Sequence, residues 1–163
     1  MPSADEEKSL RSPDGACLFY RARRAPGGPN RLVLLVHGAA SNHTRWSEFV
    51  RRSTLGERYD LLRPDMRGNA RSMYRGRLDL DTWCRDLVQI MDAEGGGPAV
   101  VIGHSLGAQI ALHLAAAYPA RVRALALIDP VVRPALLGRL RRTRRLEPLL
   151  RLAVAVLRMA NGL

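Results

Sequence analysis

Gly103-His104-Ser105-Leu106-Gly107 is the segment of this chain best suited to chemistry. A serine hydroxyl is a weak nucleophile until the backbone presents it and neighbouring groups activate it. The G-x-S-x-G spacing meets the first need when a strand precedes it and a helix follows. The serine then stands at the tip of a sharp turn, in a strained backbone conformation, at the positive end of the helix. The residues two before and two after must be small, because the strand and helix backbones approach closely there. Gly103 and Gly107 meet that demand. The bland alternative is a glycine-containing βα turn with an incidental serine, and the flanking strand and helix weigh against it. The expected chemistry is acyl transfer through Ser105, with His104 as part of the motif.

An acyl-transfer serine also needs two donors aimed at the developing oxyanion. One is the backbone N–H of Leu106. The other comes from the small-residue loop of Leu35-Val36-His37-Gly38-Ala39-Ala40, with Ala39 first and Ala40 second. His37 reads as a residue that orders this loop rather than as a base. A third segment, Asp65-Met66-Arg67-Gly68-Asn69-Ala70-Arg71-Ser72, has turn chemistry and reads as a structural loop held by Asp65 and Arg67.

These loops need elements to hold them. Residues 9–23 read as a β-hairpin turned by Pro13-Asp14-Gly15. Leu32–Val36 is a continuous apolar run, as in a strand buried on both faces. The pattern then predicts a helix over 44–55 and a strand over 59–63 ended by Pro64. A helix over 79–94 follows, with Leu80, Trp83, Leu87, Ile90 and Met91 on one face and Gly95-Gly96-Gly97-Pro98 as its stop. After it come a strand over 99–103, a helix over 106–118 and a strand over 122–128. Strands alternating with helices argue for an α/β fold, a mostly parallel sheet of about six strands with helices on both faces. The expected layout is a disordered N-terminus over 1–8, a core over 9–130 and a helical region over 131–163.

Composition narrows the class. The chain has 163 residues, 47% hydrophobic and 25% charged, which excludes a wholly disordered protein. No apolar run approaches the roughly 20 residues of a membrane span, and the first eight residues lack the apolar stretch of a secretory signal. Cys17 and Cys84 have no CxxC spacing and fit reduced thiols in the cytoplasm. The formal charge is +11, yet Lys8 is the only lysine. Such lopsided use of arginine fits a GC-rich coding sequence better than a nucleic-acid surface. The Arg139–Arg145 cluster and the apolar Leu149–Met159 stretch read as packing with a solvated face rather than as a membrane-surface helix.

Taken together, Pro13-Asp14-Gly15, His37-Gly38, Asp65-x-Arg67-Gly68-x-Ala70-x-Ser72, Gly103-His104-Ser105-Leu106-Gly107 and Leu127-Ile128-Asp129-Pro130 resemble the α/β-hydrolase superfamily in its lipase and esterase-like branch. The resemblance covers roughly residues 9–135 and matches the first six strands of that fold. It implies Ser105 as the nucleophile of an ester or thioester hydrolase, an antiparallel strand near the N-terminal edge and a helical cap beginning after Asp129. It implies a small-molecule substrate, with no cofactor and no metal.

The family orders its triad as serine, acid, histidine. Here His37, His43, His104 and His113 all precede Ile128, so the usual histidine is missing and the chain reads as truncated within its cap. His43, in the oxyanion-side loop, is the one histidine expected near the pocket and the candidate substitute base, while His113 lies far along the helix and is expected to pack or face solvent. Asp129 is a candidate acid or a structural turn. The expectation is a serine hydrolase with little activity alone. The alternative is a non-catalytic or split-chain protein, completed by a second copy or by a missing C-terminal half.

Overall fold

The computed structural model describes residues 5–27 and 31–130. Met1–Pro130 forms one compact unit and is described by itself. The expected cap over 131–163, with its Arg139–Arg145 and Leu149–Met159 stretches, lies outside the described residues.

Six strands form one sheet: β1 (Glu6–Arg11), β2 (Cys17–Arg23), β3 (Arg31–Val36), β4 (Tyr59–Pro64), β5 (Ala99–His104) and β6 (Val122–Ile128). Their order is β1-β2-β4-β3-β5-β6. β1 and β2 are antiparallel, β2 is antiparallel to β4, and β4, β3, β5 and β6 run parallel. The helices are α1 (Ser47–Arg52), α2 (Leu80–Ala93) and α3 (Leu106–Ala117). This is the α/β architecture expected from the sequence, with an antiparallel hairpin at one edge.

β3 shows why its sequence has no polar alternation. Leu32, Leu34 and Val36 pack into the cluster that holds α2 and α3, through Leu87, Ile90, Ile110 and Leu114. Val33 and Leu35 face the opposite cluster, with Trp46, Val50, Leu61 and Ile102. A parallel strand covered on both faces is apolar at every position. Burying each such side chain contributes about 1.5–3 kcal/mol, so this short run anchors the domain.

Three boundaries differ from expectation. β1 begins at Glu6, so Glu6–Lys8 pair with Ala22, Arg21 and Tyr20 instead of belonging to a disordered tail. Lys8 adds an ion pair to the buried Glu94 at 3.1 Å. The helix expected over 44–55 is broken into a 3-10 turn (His43–Trp46), α1 and a second 3-10 turn (Thr54–Glu57), with Ser53 extended between the last two. Pro64 ends β4 from within the strand, opposite Tyr20 and beyond the last pairing with β3, Leu34 to Leu62. The α2 boundaries follow from local chemistry: the Asp79 carboxylate accepts the Thr82 N–H at 2.8 Å at one end. Gly95, at φ +107, turns the chain at the other.

Candidate active site

The strand order reverses at β3, because β4 lies on one side and β5 on the other. The loops leaving β3 and β5 therefore border one crevice at the carboxyl edge of the sheet, where open α/β sheets bind ligands. These are the loops that carry Gly38–Asn42 and Ser105.

Ser105 lies between β5 and α3 at φ 54, ψ −115. A non-glycine residue in this region costs on the order of 1–3 kcal/mol and persists only where its surroundings hold it. A side chain at Gly103 would overlap the Gly107 carbonyl, and one at Gly107 would overlap the Val36 carbonyl. The two glycines are thus where helix, elbow and central strand touch. Ser105 donates its N–H to the Ile128 carbonyl at 2.9 Å, tying the turn to the end of β6. Leu106 opens α3, so its N–H has no carbonyl of its own helix to bond.

Gly38 sits against this turn: a Cβ there would lie 3.2 Å from the Ser105 Cβ and 3.1 Å from His104 Nδ1. Ala39 and Ala40 are exposed, and Ala40 has φ 50. His104 points toward Arg45, whose guanidinium donates to its Nε2 at 3.2 Å. His37 is buried. Its Nε2 accepts the Met66 N–H at 2.9 Å, so the proton sits on Nδ1 and is donated to the Gly38 carbonyl at 2.8 Å. Burial pushes the His37 pKa down, which keeps the ring neutral. With both nitrogens engaged, His37 organises the loop and is not available as a base.

Asp65 and Arg67 hold their loop through different partners instead of through each other. Asp65 accepts from the His43 N–H at 2.8 Å, from His43 Nδ1 at 2.7 Å and from the Arg71 N–H at 3.1 Å. Arg67 is buried and grips Asp86 at 2.8 and 2.6 Å, with Ser12 at 2.9 Å and an ion pair to Asp14. Burial raises the Asp86 pKa while Arg67 opposes that rise. Gly68 continues the turn at φ +88. Asp86 escapes a reading of the sequence alone. Its one signal there is a carboxylate on the apolar face of α2, between Trp83 and Leu87.

Asp129 follows Ile128 directly and so stands at the same edge as Ser105, at φ 48. His113 is remote: it pairs with Asp81 at 2.5 Å on the outer surface of α2 and α3. Among the described residues, the Ser105 hydroxyl has no hydrogen bond to a histidine, no three potential metal ligands cluster, and no helix is long and apolar enough to cross a membrane.

Residues 31–153 match the family model described as alpha/beta hydrolase fold. The chain is 39% identical over 110 residues to the lipase LipV of Mycobacterium tuberculosis, covering 68% of this chain and 41% of that protein. Its fold resembles the crystal structure of an alpha/beta hydrolase from Novosphingobium aromaticivorans, with TM-score 0.66, 31% identity, and coverage of 76% of this chain and 43% of the other. It also resembles epoxide hydrolase A from Mycobacterium thermoresistibile, with TM-score 0.70, 28% identity, and coverage of 83% and 44%. The chain thus spans less than half the length of each of these proteins.

Proposed function

The chain belongs to the alpha/beta hydrolase fold family, and from that premise we propose that Ser105 is the nucleophile of a serine hydrolase acting on ester or thioester bonds. The observation that carries this reading is the Ser105 backbone at φ 54, ψ −115, strained and braced by Gly103 and Gly107. A nucleophile made of serine also favours acyl chemistry over the aspartate-based opening of epoxides.

In the proposed reaction the Ser105 Oγ attacks the acyl carbonyl carbon and gives its proton to a base. The carbonyl oxygen becomes an oxyanion that accepts from the N–H groups of Leu106 and Ala39, with Ala40 as the second candidate. The intermediate collapses, the alcohol or thiol leaves with the proton, and water hydrolyses the acyl-Ser105 ester. Asp129, directly after β6, is the candidate acid that would orient such a base. No described histidine bonds to the Ser105 hydroxyl, so residues 1–163 by themselves are expected to have little turnover, while the elbow and the oxyanion donors still leave Ser105 open to slow stoichiometric labelling.

A second reading is a split or non-catalytic chain that needs a partner to supply the base. It is favoured by β6, which is an edge strand among the described residues with Ile128 exposed. A reducing, cytoplasmic setting is supported by free thiols at Cys17 and Cys84. Fluorophosphonate labelling read by intact mass, with Ser105→Ala as control, tests the proposal. Label that disappears in Ser105→Ala supports it, and a folded chain that takes no label overturns the activated serine.

A further inference from the structure

The segment from His37 to His43 leaves β3 and passes beside the elbow, and both of its end residues are held by consecutive residues after β4. At one end the Met66 N–H donates to His37 Nε2 at 2.9 Å. At the other, the Asp65 carboxylate accepts both the backbone N–H of His43, at 2.8 Å, and its Nδ1–H, at 2.7 Å. The second Asp65 oxygen accepts the Arg71 N–H at 3.1 Å. All three groups facing this buried carboxylate are donors, so an amide there would set a donor against a donor. The His43 ring is also fixed on its side, edge-on to Phe19 with centroids 5.4 Å apart.

Between these two clamps lie five residues. Gly38 touches the elbow and Ala40 takes φ 50. A left-handed alanine is not a conformation that the loop adopts by preference. Strain of this kind persists where the ends of a segment over-determine it.

We propose that Asp65 and His43 are positioning residues that hold Gly38–Asn42 as a strap across the nucleophile turn, with the Ala39 and Ala40 amides set toward the Ser105 side. The inference rests on the reading of Ser105 as nucleophile for its chemical meaning, and on the paired clamps for its geometry. His43 then serves through its Nδ1–H and not as a replacement base.

Two side-chain swaps separate this role from general support of the fold. His43→Phe keeps a ring beside Phe19 but has no donor. His43→Asn keeps an N–H near the place of Nδ1. Hydrogen exchange of the full chain, followed in peptides covering 37–46, should rise about tenfold in His43→Phe and return toward wild type in His43→Asn, with β3 and β5 unchanged in both. Fluorophosphonate labelling of Ser105 should slow about tenfold in His43→Phe, through the rate at saturating probe and not the half-saturating concentration, because oxyanion contacts form only in the transition state. Asp65→Asn is the second variant and should show the same local loss of protection. The strap is overturned if 37–46 exchanges like wild type in His43→Phe, if His43→Asn behaves like His43→Phe, or if protection falls across the whole chain in both His43→Phe and Asp65→Asn. Local exchange changes in a chain whose Ser105 takes no label would sink the nucleophile reading and leave the strap standing.

Discussion

The α-carbon of Gly107 lies so close to the carbonyl of Val36 that any side chain at Gly107 would overlap it. Helix α3 therefore packs backbone to backbone on the central strand. Gly107→Ala should destabilise the domain by roughly 1–3 kcal/mol or more, the cost of forcing atoms into a filled interior. Gly97→Ala, where an added Cβ meets nothing, should stay within about 0.5 kcal/mol of wild type. Urea unfolding of the two variants checks the contrast.

Ser105 carries backbone strain that a glycine would relieve. Ser105→Gly and Ser105→Ala both lose the hydroxyl, but only glycine accepts a positive φ without steric cost. Ser105→Gly should be more stable than Ser105→Ala by about 1 kcal/mol. Equal unfolding midpoints for the two variants would count against a strained elbow.

Arg67 and Asp86 form a buried ion pair. Arg67→Met leaves the Asp86 carboxylate buried without its main partner and should cost roughly 3–5 kcal/mol. Adding Asp86→Leu removes the stranded charge and should recover at least about 1 kcal/mol, so the double variant should be more stable than Arg67→Met alone. A double-mutant cycle in urea would reveal additivity if the pair were not coupled.

His37 gives the domain a pH response of known sign. Burial lowers its pKa below the ordinary value of 6.5 in the folded state. On acidification the unfolded chain therefore takes up this proton first. The contribution is fully present above about pH 6.5 and is lost as pH falls through the window beneath it. The drop in urea midpoint between about pH 7.5 and about pH 5.5 should be smaller in His37→Gln than in wild type, since glutamine does not titrate.

Much of the fold was legible because its signals are local. The apolar run of β3, the one-faced spacing of α2 and the Gly103–Gly107 frame each state their environment within a few residues. The boundaries that differed depended on remote contacts. Glu6–Lys8 look like a polar tail until Tyr20, Arg21 and Ala22 offer a strand to pair with. The pairing of Arg67 with Asp86 instead of Asp65 was not legible either. Neighbours in sequence suggest each other as partners, but here the chain places Asp65 under His43 and Arg67 against α2. Which strand-end loop grips which becomes visible only once the order β4-β3-β5 brings them together.

That strand order also sets a timetable for a nascent chain. β1 and β2 pair across a short turn, Arg11 with Cys17, and can meet soon after they are made. β3 must wait, since Val33 pairs with Val100 and the elbow glycines come later still. Until then one edge of β3 stays unpaired, although Trp46, Val50 and the α2 residues Leu87 and Ile90 are already made and can meet its faces. Late, long-range closure of this kind makes folding slow and leaves sticky intermediates. The first hundred residues emerging from a ribosome thus hold four strands in the order β1-β2-β4-β3, with the open edge of β3 waiting for β5.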